Sequence, residues 1–123
     1  MPIKIRVKRI YDEAEAEDGF RILADRLWPR GIAKNKAQID LRAKELTPSN
    51  ELRKWFHTAP DRLKEFAKRY RAELAERRDE IKSLFANLDQ KVVTLVTATK
   101  DLEHGHVAVL KTYLEQLLNR SNR

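Results

Sequence analysis

The densest group of chemically useful side chains lies in residues 100–106, which hold two carboxylates, two imidazoles and one ammonium group. A histidine can take up or release a proton near neutral pH, and a helix that starts here would attract an anion such as phosphate to its free N–H groups. We therefore predict Asp101 and His106 as candidates for proton transfer, and Lys100 and His104 as candidates for ligand binding.

The same segment fits two other interpretations. Asp101 could cap the following helix while both histidines hydrogen-bond to the backbone. His104 and His106, at a spacing of two, could form part of a metal site, but no third ligand is evident in the sequence. We predict no metal. We also expect no cofactor, because the chain has no cysteine and its three glycines form no phosphate-binding loop.

A second candidate segment runs from Asp25 to Gly31 and contains two arginines. Arginine binds phosphate or carboxylate through two parallel hydrogen bonds, so Arg26 and Arg30 are candidate ligand-binding residues. Asp25 could orient one of them or accept a proton, and is the third candidate for proton transfer. The alternative is a structural ion pair next to a buried Trp28 that closes the turn.

Two segments of the chain have the pattern of strands. Alternation of apolar and basic residues from Ile3 to Lys8 predicts a strand with one buried face. The β-branched run from Val92 to Thr97 predicts a central strand covered on both faces. A further strand is expected from Ile39 to Leu46.

Residues 19–31 are ambiguous, because their apolar positions suit either a helix or a short strand at Ile22 to Ala24. We favour the helix. It would have Asp18 as its N-cap and would end near Pro29, and a helix would supply the crossover that two parallel strands require. Its apolar face would hold Phe20, Leu23, Ala24 and Leu27.

Three helices are expected in the rest of the chain. Ser49 is the N-cap of a short helix whose apolar side is Leu52, Trp55 and Phe56. The segment 58–61 has the spacing of a capping box and precedes one long amphipathic helix over 63–88. The last helix is predicted over 104–119.

Alternating strands and helices predict one α/β domain over residues 1–123. We expect a Rossmann-like layer of about three mostly parallel strands flanked by helices. Ligands of such sheets bind outside the carboxyl ends of the strands, where loops 9–12, 44–49 and 100–106 would converge. This adds Arg9, Lys44 and Arg53 to the predicted ligand-binding residues.

The formal net charge of +7 at pH 7 favours anionic partners, although the basic residues are spread and form no tail. The absence of cysteine suits a reducing compartment. No signal peptide and no transmembrane run are evident, so we expect a cytoplasmic protein without membrane contact.

Several motifs make the chain similar to the YeaO-like branch of a bacterial family known as a domain of unknown function. The resemblance implies a compact α/β protein whose polar motif residues gather at one end, with no established reaction. The sequence departs from the pattern at Leu41-Arg42, where a tryptophan is common after Asp40, and at Gly105, where asparagine is common. The motifs lie in residues 9–12, 17–31, 44–49, 52–56 and 98–110.

Two functions are compatible with these patterns. The first is binding of a phosphate-bearing ligand, a nucleotide or a nucleic acid, with charge supplied by Arg26, Arg30, Lys44 and Lys100. The alternative is a non-catalytic domain whose basic surface contacts DNA, RNA or an acidic protein. The sequence leaves the oligomeric state open.

Overall fold

A computed structural model describes residues 3–120, so residues 1–2 and 121–123 of the predicted domain lie outside it. Within this part the chain forms one sheet of four strands, five α-helices and two short 3₁₀ turns at Ala16–Asp18 and Lys44–Leu46. The strands are β1 (Lys4–Arg9), β2 (Phe20–Leu23), β3 (Leu41–Arg42) and β4 (Val92–Thr97), and the helices are α1 (Lys34–Ala37), α2 (Asn50–Thr58), α3 (Leu63–Glu76), α4 (Arg78–Ala86) and α5 (His106–Arg120).

The four strands are parallel and follow the order β1-β4-β2-β3. The apolar β4 is central, as predicted, with Val93 opposite Ile5 of β1 and Leu95 opposite Ile22 of β2. The predicted α/β class is therefore confirmed. The sheet has one strand more than the expected three, because Phe20–Leu23 forms the strand β2.

The helix predicted over residues 19–31 is wrong: Phe20–Leu23 is the strand β2, and a loop follows it. Asp18 is not a helix N-cap but ends a 3₁₀ turn. Gly19 then takes a left-handed φ of 65°, and a Cβ there would lie 2.2 Å from the carbonyl oxygen of Val92. Only glycine allows this approach, which aligns β2 with the central strand.

Two further boundaries differ from the sequence prediction. The strand expected from Ile39 to Leu46 is only Leu41–Arg42, since the chain then turns into the 3₁₀ segment. The long helix over 63–88 is two helices that meet at Arg77. The predicted capping box is wrong, because Thr58 still belongs to α2 and its hydroxyl donates to the carbonyl of Trp55.

Other helix boundaries agree with the prediction. The Ser49 hydroxyl accepts a hydrogen bond of 3.1 Å from the N–H of Leu52, so Ser49 caps α2 as expected. The predicted last helix corresponds to α5.

The two faces of the sheet pack against different partners. On one face, Ile22 and Leu95 join the main core, to which all of the longer helices α2–α5 contribute. On the other face, their neighbours Leu23 and Val96 pack beneath the segment that includes Ile32 and α1. This alternation along each strand is typical of a sheet covered on both sides.

A buried group of charges ties the start of β2 to its neighbours. The Asp18 carboxylate, fully buried, accepts hydrogen bonds from Arg21 at 2.6 Å and from Lys8 at 3.1 Å. The Arg21 guanidinium, only 4% exposed, also donates to the carbonyls of Ala37 and Gln38. We call Lys8, Asp18 and Arg21 the closed cluster, because these residues satisfy one another inside the fold.

Candidate ligand-binding site

A cavity of about 430 Å³ lies at the carboxyl ends of the strands. Its walls come from the loop after β2, the segment before α2, the helices α2 and α3, and the loop that enters α5. The location agrees with the expectation that ligands of parallel sheets bind at this edge. The polar lining residues are Asp25, Arg26, Thr47, Arg53, His57, Thr99 and His106, and the others are Ala24, Leu27, Pro48, Phe56, Phe66 and Gly105.

Asp25 and His106 form a pair at one wall of the cavity. The His106 Nε2 lies 3.2 Å from Asp25 Oδ1 and 2.9 Å from the carbonyl oxygen of Ala24. Both neighbours are acceptors, so Nε2 carries the proton and donates it. This leaves Nδ1 as the ring nitrogen that can meet a ligand.

The Asp25 carboxylate is held by several donors. Oδ1 accepts from the Thr97 hydroxyl at 2.6 Å and Oδ2 from the N–H of Ala98 at 2.8 Å, in addition to the contact with His106. Burial would raise the pKa of Asp25, but the hydrogen bonds from His106, Ala98 and Thr97 outweigh it and lower the pKa below its ordinary value. Asp25 is therefore an ionised group that orients the imidazole.

Two arginines of the cavity have no internal counter-ion. Within residues 3–120, no carboxylate lies at ion-pair distance from the guanidinium of Arg26 or Arg53. The one hydrogen bond that the Arg53 side chain makes there goes from Nη2 to the neutral Asn50 amide oxygen, at 3.2 Å. Two positive charges at the cavity are thus available to an anion.

The start of α5 adds to this positive character. His106 is the first residue of a 15-residue helix, and both it and Gly105 line the cavity. The first N–H groups of a helix carry partial positive charge and lack partners within the helix. The chain turns tightly at this point, since a Cβ on Gly105 would lie 3.1 Å from the carbonyl of Asp101.

The structure brings four of the ten predicted site residues to this cavity: Asp25, Arg26, Arg53 and His106. Six others do not line it: Arg9, Arg30, Lys44, Lys100, Asp101 and His104.

Several of these six have other contacts. Asp101 accepts hydrogen bonds of 3.0 Å from the N–H groups of Glu103 and His104, and the His104 ring lies 3.0 Å from the same carboxylate. Those backbone hydrogen bonds lower the pKa of Asp101. Arg9 lies 5.1 Å from the ring centroid of Tyr11, which lines a second cavity of about 510 Å³ on the loops after β1 and before β3.

The sequence-based reasoning missed His57 and assigned Phe56 to the core alone. His57 lies four residues after Arg53 on α2, a spacing that puts the two side chains on the same face of the helix. The spacing of four between Arg53 and His57 is the sequence signal that could have identified His57. Leu27, predicted to be on a buried helical face, instead lines the cavity with 65% of its surface exposed.

Two other kinds of site have no counterpart in the described residues. Within residues 3–120, no three histidine, aspartate or glutamate side chains lie close enough together to hold a metal ion. None of the helices in that same range combines the length and apolarity needed to cross a membrane.

Comparison with known proteins places the chain in a family. The model of the family described as "Inactive DUF488-N3 subclade" matches residues 4–123. The chain belongs to this subclade.

Its relatives include the uncharacterised Escherichia coli protein YeaO, which is 44% identical over 115 residues, 94% of this chain and 100% of YeaO. Uncharacterised proteins of Mycobacterium tuberculosis and Mycobacterium bovis are each 41% identical over 116 residues, 94% of both chains. The resemblance to the YeaO-like branch is confirmed. No solved structure matches the chain.

Proposed function

We propose that this member of the DUF488-N3 subclade binds a small phosphate-bearing ligand in the cavity at the carboxyl edge of its sheet. The observation that carries the proposal is the pair of cavity-lining arginines, Arg26 and Arg53, without counter-ions in the described residues. Arg21, in contrast, is buried and its donors are satisfied within the fold. An anion from solution would supply the missing acceptors.

The neighbouring groups suit a phosphate. A free carboxylate would repel an anion, but the oxygens of Asp25 already accept hydrogen bonds from Thr97, Ala98 and His106. His106 is held with Nε2–H towards Asp25, so Nδ1 is an acceptor and can receive a hydrogen bond from a protonated phosphate oxygen. The start of α5 favours negative charge at the same place.

Binding without turnover fits the family best. The family description uses the word "inactive", and Asp101, one of three predicted proton-transfer groups, does not line the cavity. Asp25 and His106 therefore act as positioning groups for the anion in this proposal. A proton-transfer role for these two residues stays a prediction.

The test is a titration of the protein with inorganic phosphate at constant ionic strength. Binding is measured by the change in melting temperature and by calorimetry. A ligand that binds only the folded state raises stability by RT ln(1 + [L]/Kd). Arg26→Ala and Arg53→Ala should each weaken binding about tenfold or more, because a charge-assisted hydrogen bond contributes about 1.5–3 kcal/mol. Arg71→Ala, an exposed arginine on α3, is the matched control and should bind as the unmodified chain does.

The same titration distinguishes the alternative function, a basic surface for DNA, RNA or an acidic protein. In that case short oligonucleotides rather than phosphate would stabilise the protein, and the effect would fall steeply with salt. All three arginine variants would then lose affinity to a similar extent. Such a result would contradict a built phosphate site.

A further inference from the structure

Part of the cavity wall is apolar and would be unused by a bare phosphate ion. Leu27 is 65% exposed, and Tyr11 is the only other large hydrophobic side chain exposed to a comparable degree in the described residues. Leu27 lines the cavity together with Phe56 and Phe66. These three side chains form an apolar part of the wall, and an apolar ligand group packed against them would gain hydrophobic burial.

The aromatic residues of this wall are already arranged as a stack. The rings of Phe56 and Phe66 have centroids 4.1 Å apart and planes inclined by 16°. Phe66 is buried beneath, and Phe56 is half-buried at the cavity. A flat ring that enters the cavity can therefore continue this stack, with Leu27 against its other side.

Charge and size limit the anionic part of the ligand. Arg26 and Arg53 together supply two guanidinium groups, which can donate hydrogen bonds to the oxygens of one phosphate ester. The volume of about 430 Å³ lies within the range of pockets that enclose small organic ligands.

We propose that the cavity selects a monophosphate ester that carries a flat aromatic ring, as a nucleoside monophosphate does. The phosphate lies at Arg26, Arg53 and the start of α5, and the ring lies against Leu27 and Phe56. This inference rests on the proposed function and specifies its ligand class.

The test compares four probes by calorimetry: inorganic phosphate, ribose 5-phosphate, adenosine 5′-monophosphate and adenosine. The nucleotide should bind about tenfold more tightly than ribose 5-phosphate, in line with the strength of base stacking on protein aromatic groups. Leu27→Ser should reduce this ratio at least about threefold while leaving the affinity for ribose 5-phosphate unchanged. Tyr11→Ser is the control, since Tyr11 is exposed but lines the other cavity.

The outcomes distinguish a failure of the ring selection from a failure of the phosphate site on which it rests. Equal affinities for the nucleotide and ribose 5-phosphate would overturn the ring selection while supporting the phosphate site. Binding of adenosine as tight as that of the nucleotide would overturn the phosphate site. An unchanged ratio in Leu27→Ser, or an equal loss in Tyr11→Ser, would overturn the role of the apolar wall, and no binding of any probe would overturn both proposals.

Discussion

The charged groups at the two ends of β2 differ in whether they have partners inside the fold. At its start, Asp18 and Arg21 of the closed cluster are buried, and their polar atoms pair with each other, with Lys8 and with nearby backbone carbonyls. At its carboxyl end, Asp25 is satisfied by its neighbours, whereas the adjacent Arg26 has no counter-ion in the described residues. Arg21 is thus held by partners inside the fold, whereas Arg26 is left open, as the proposed function requires.

The largest expected effect comes from opening the closed cluster. Arg21→Met removes the guanidinium and leaves Asp18 buried with fewer partners, so the free energy of unfolding should fall by about 3–5 kcal/mol. Urea denaturation measures this change. Arg26→Met is the matched control at the other end of the strand and should change stability by less than about 1 kcal/mol. Equal losses in both variants would mean that the two regions do not differ in the way described.

A smaller loss of stability is expected from Asp25→Asn. The amide has one oxygen fewer to accept from Thr97, Ala98 and His106, and its NH₂ group would face another donor. We expect a loss of about 1–3 kcal/mol in the free energy of unfolding. Thermal and urea denaturation near neutral pH test it, and a variant as stable as the unmodified chain would contradict the positioning role of Asp25.

The carboxylates of Asp18 and Asp25 should make the free energy of unfolding depend on pH in the acidic range. Burial would raise the pKa of Asp18, but hydrogen bonds from the Glu15 N–H, Lys8 and Arg21 lower it, and the pKa of Asp25 is also lowered. A group whose pKa is lower in the folded state contributes stability above its unfolded pKa and loses it as pH falls. The free energy of unfolding should therefore fall below about pH 4.

This slope should be shallower in Asp25→Asn, because one of the carboxylates with a lowered pKa is gone. Denaturation curves recorded at a series of acidic pH values would measure the difference between the two chains. Parallel curves would show that Asp25 does not contribute to the acid dependence.

The smallest effect is expected at basic residues that lie outside the cavity lining. Arg30→Ala and Lys100→Ala should change phosphate affinity by less than about twofold, since exposed charges away from the bound anion are largely screened by salt. Calorimetry with inorganic phosphate measures this. A tenfold loss in either variant would show that the binding site extends along the edge of the sheet, as the sequence alone predicts.

The sequence predicted those elements whose local pattern and tertiary environment agree. The β-branched run of β4 and the cap at Ser49 are examples. It failed at β2, where the spacing of Phe20, Leu23 and Ala24 suits a helix but pairing with β4 decides the conformation. Tertiary pairing of this kind leaves no trace in local periodicity.

The candidate site shows the same division. Asp25, Arg26 and His106 were recognisable by residue type. The parallel sheet predicted the edge at which His106 lies, whereas Asp25 and Arg26 stood in a predicted helix. The contact between Asp25 and His106 joins residues far apart in the chain, and no local spacing reports it. The open state of Arg26 likewise depends on which carboxylates the fold brings near, so composition alone could not distinguish it from Arg21.

The most direct test of a phosphate site at this edge is a two-dimensional ¹H–¹⁵N NMR titration with inorganic phosphate at constant ionic strength. A phosphate site at this edge should give saturable shifts concentrated in the backbone amides of Asp25, Arg26, Gly105 and His106. Shifts centred instead on Tyr11 and Lys36, at the second cavity, or spread evenly over the basic surface, would contradict it.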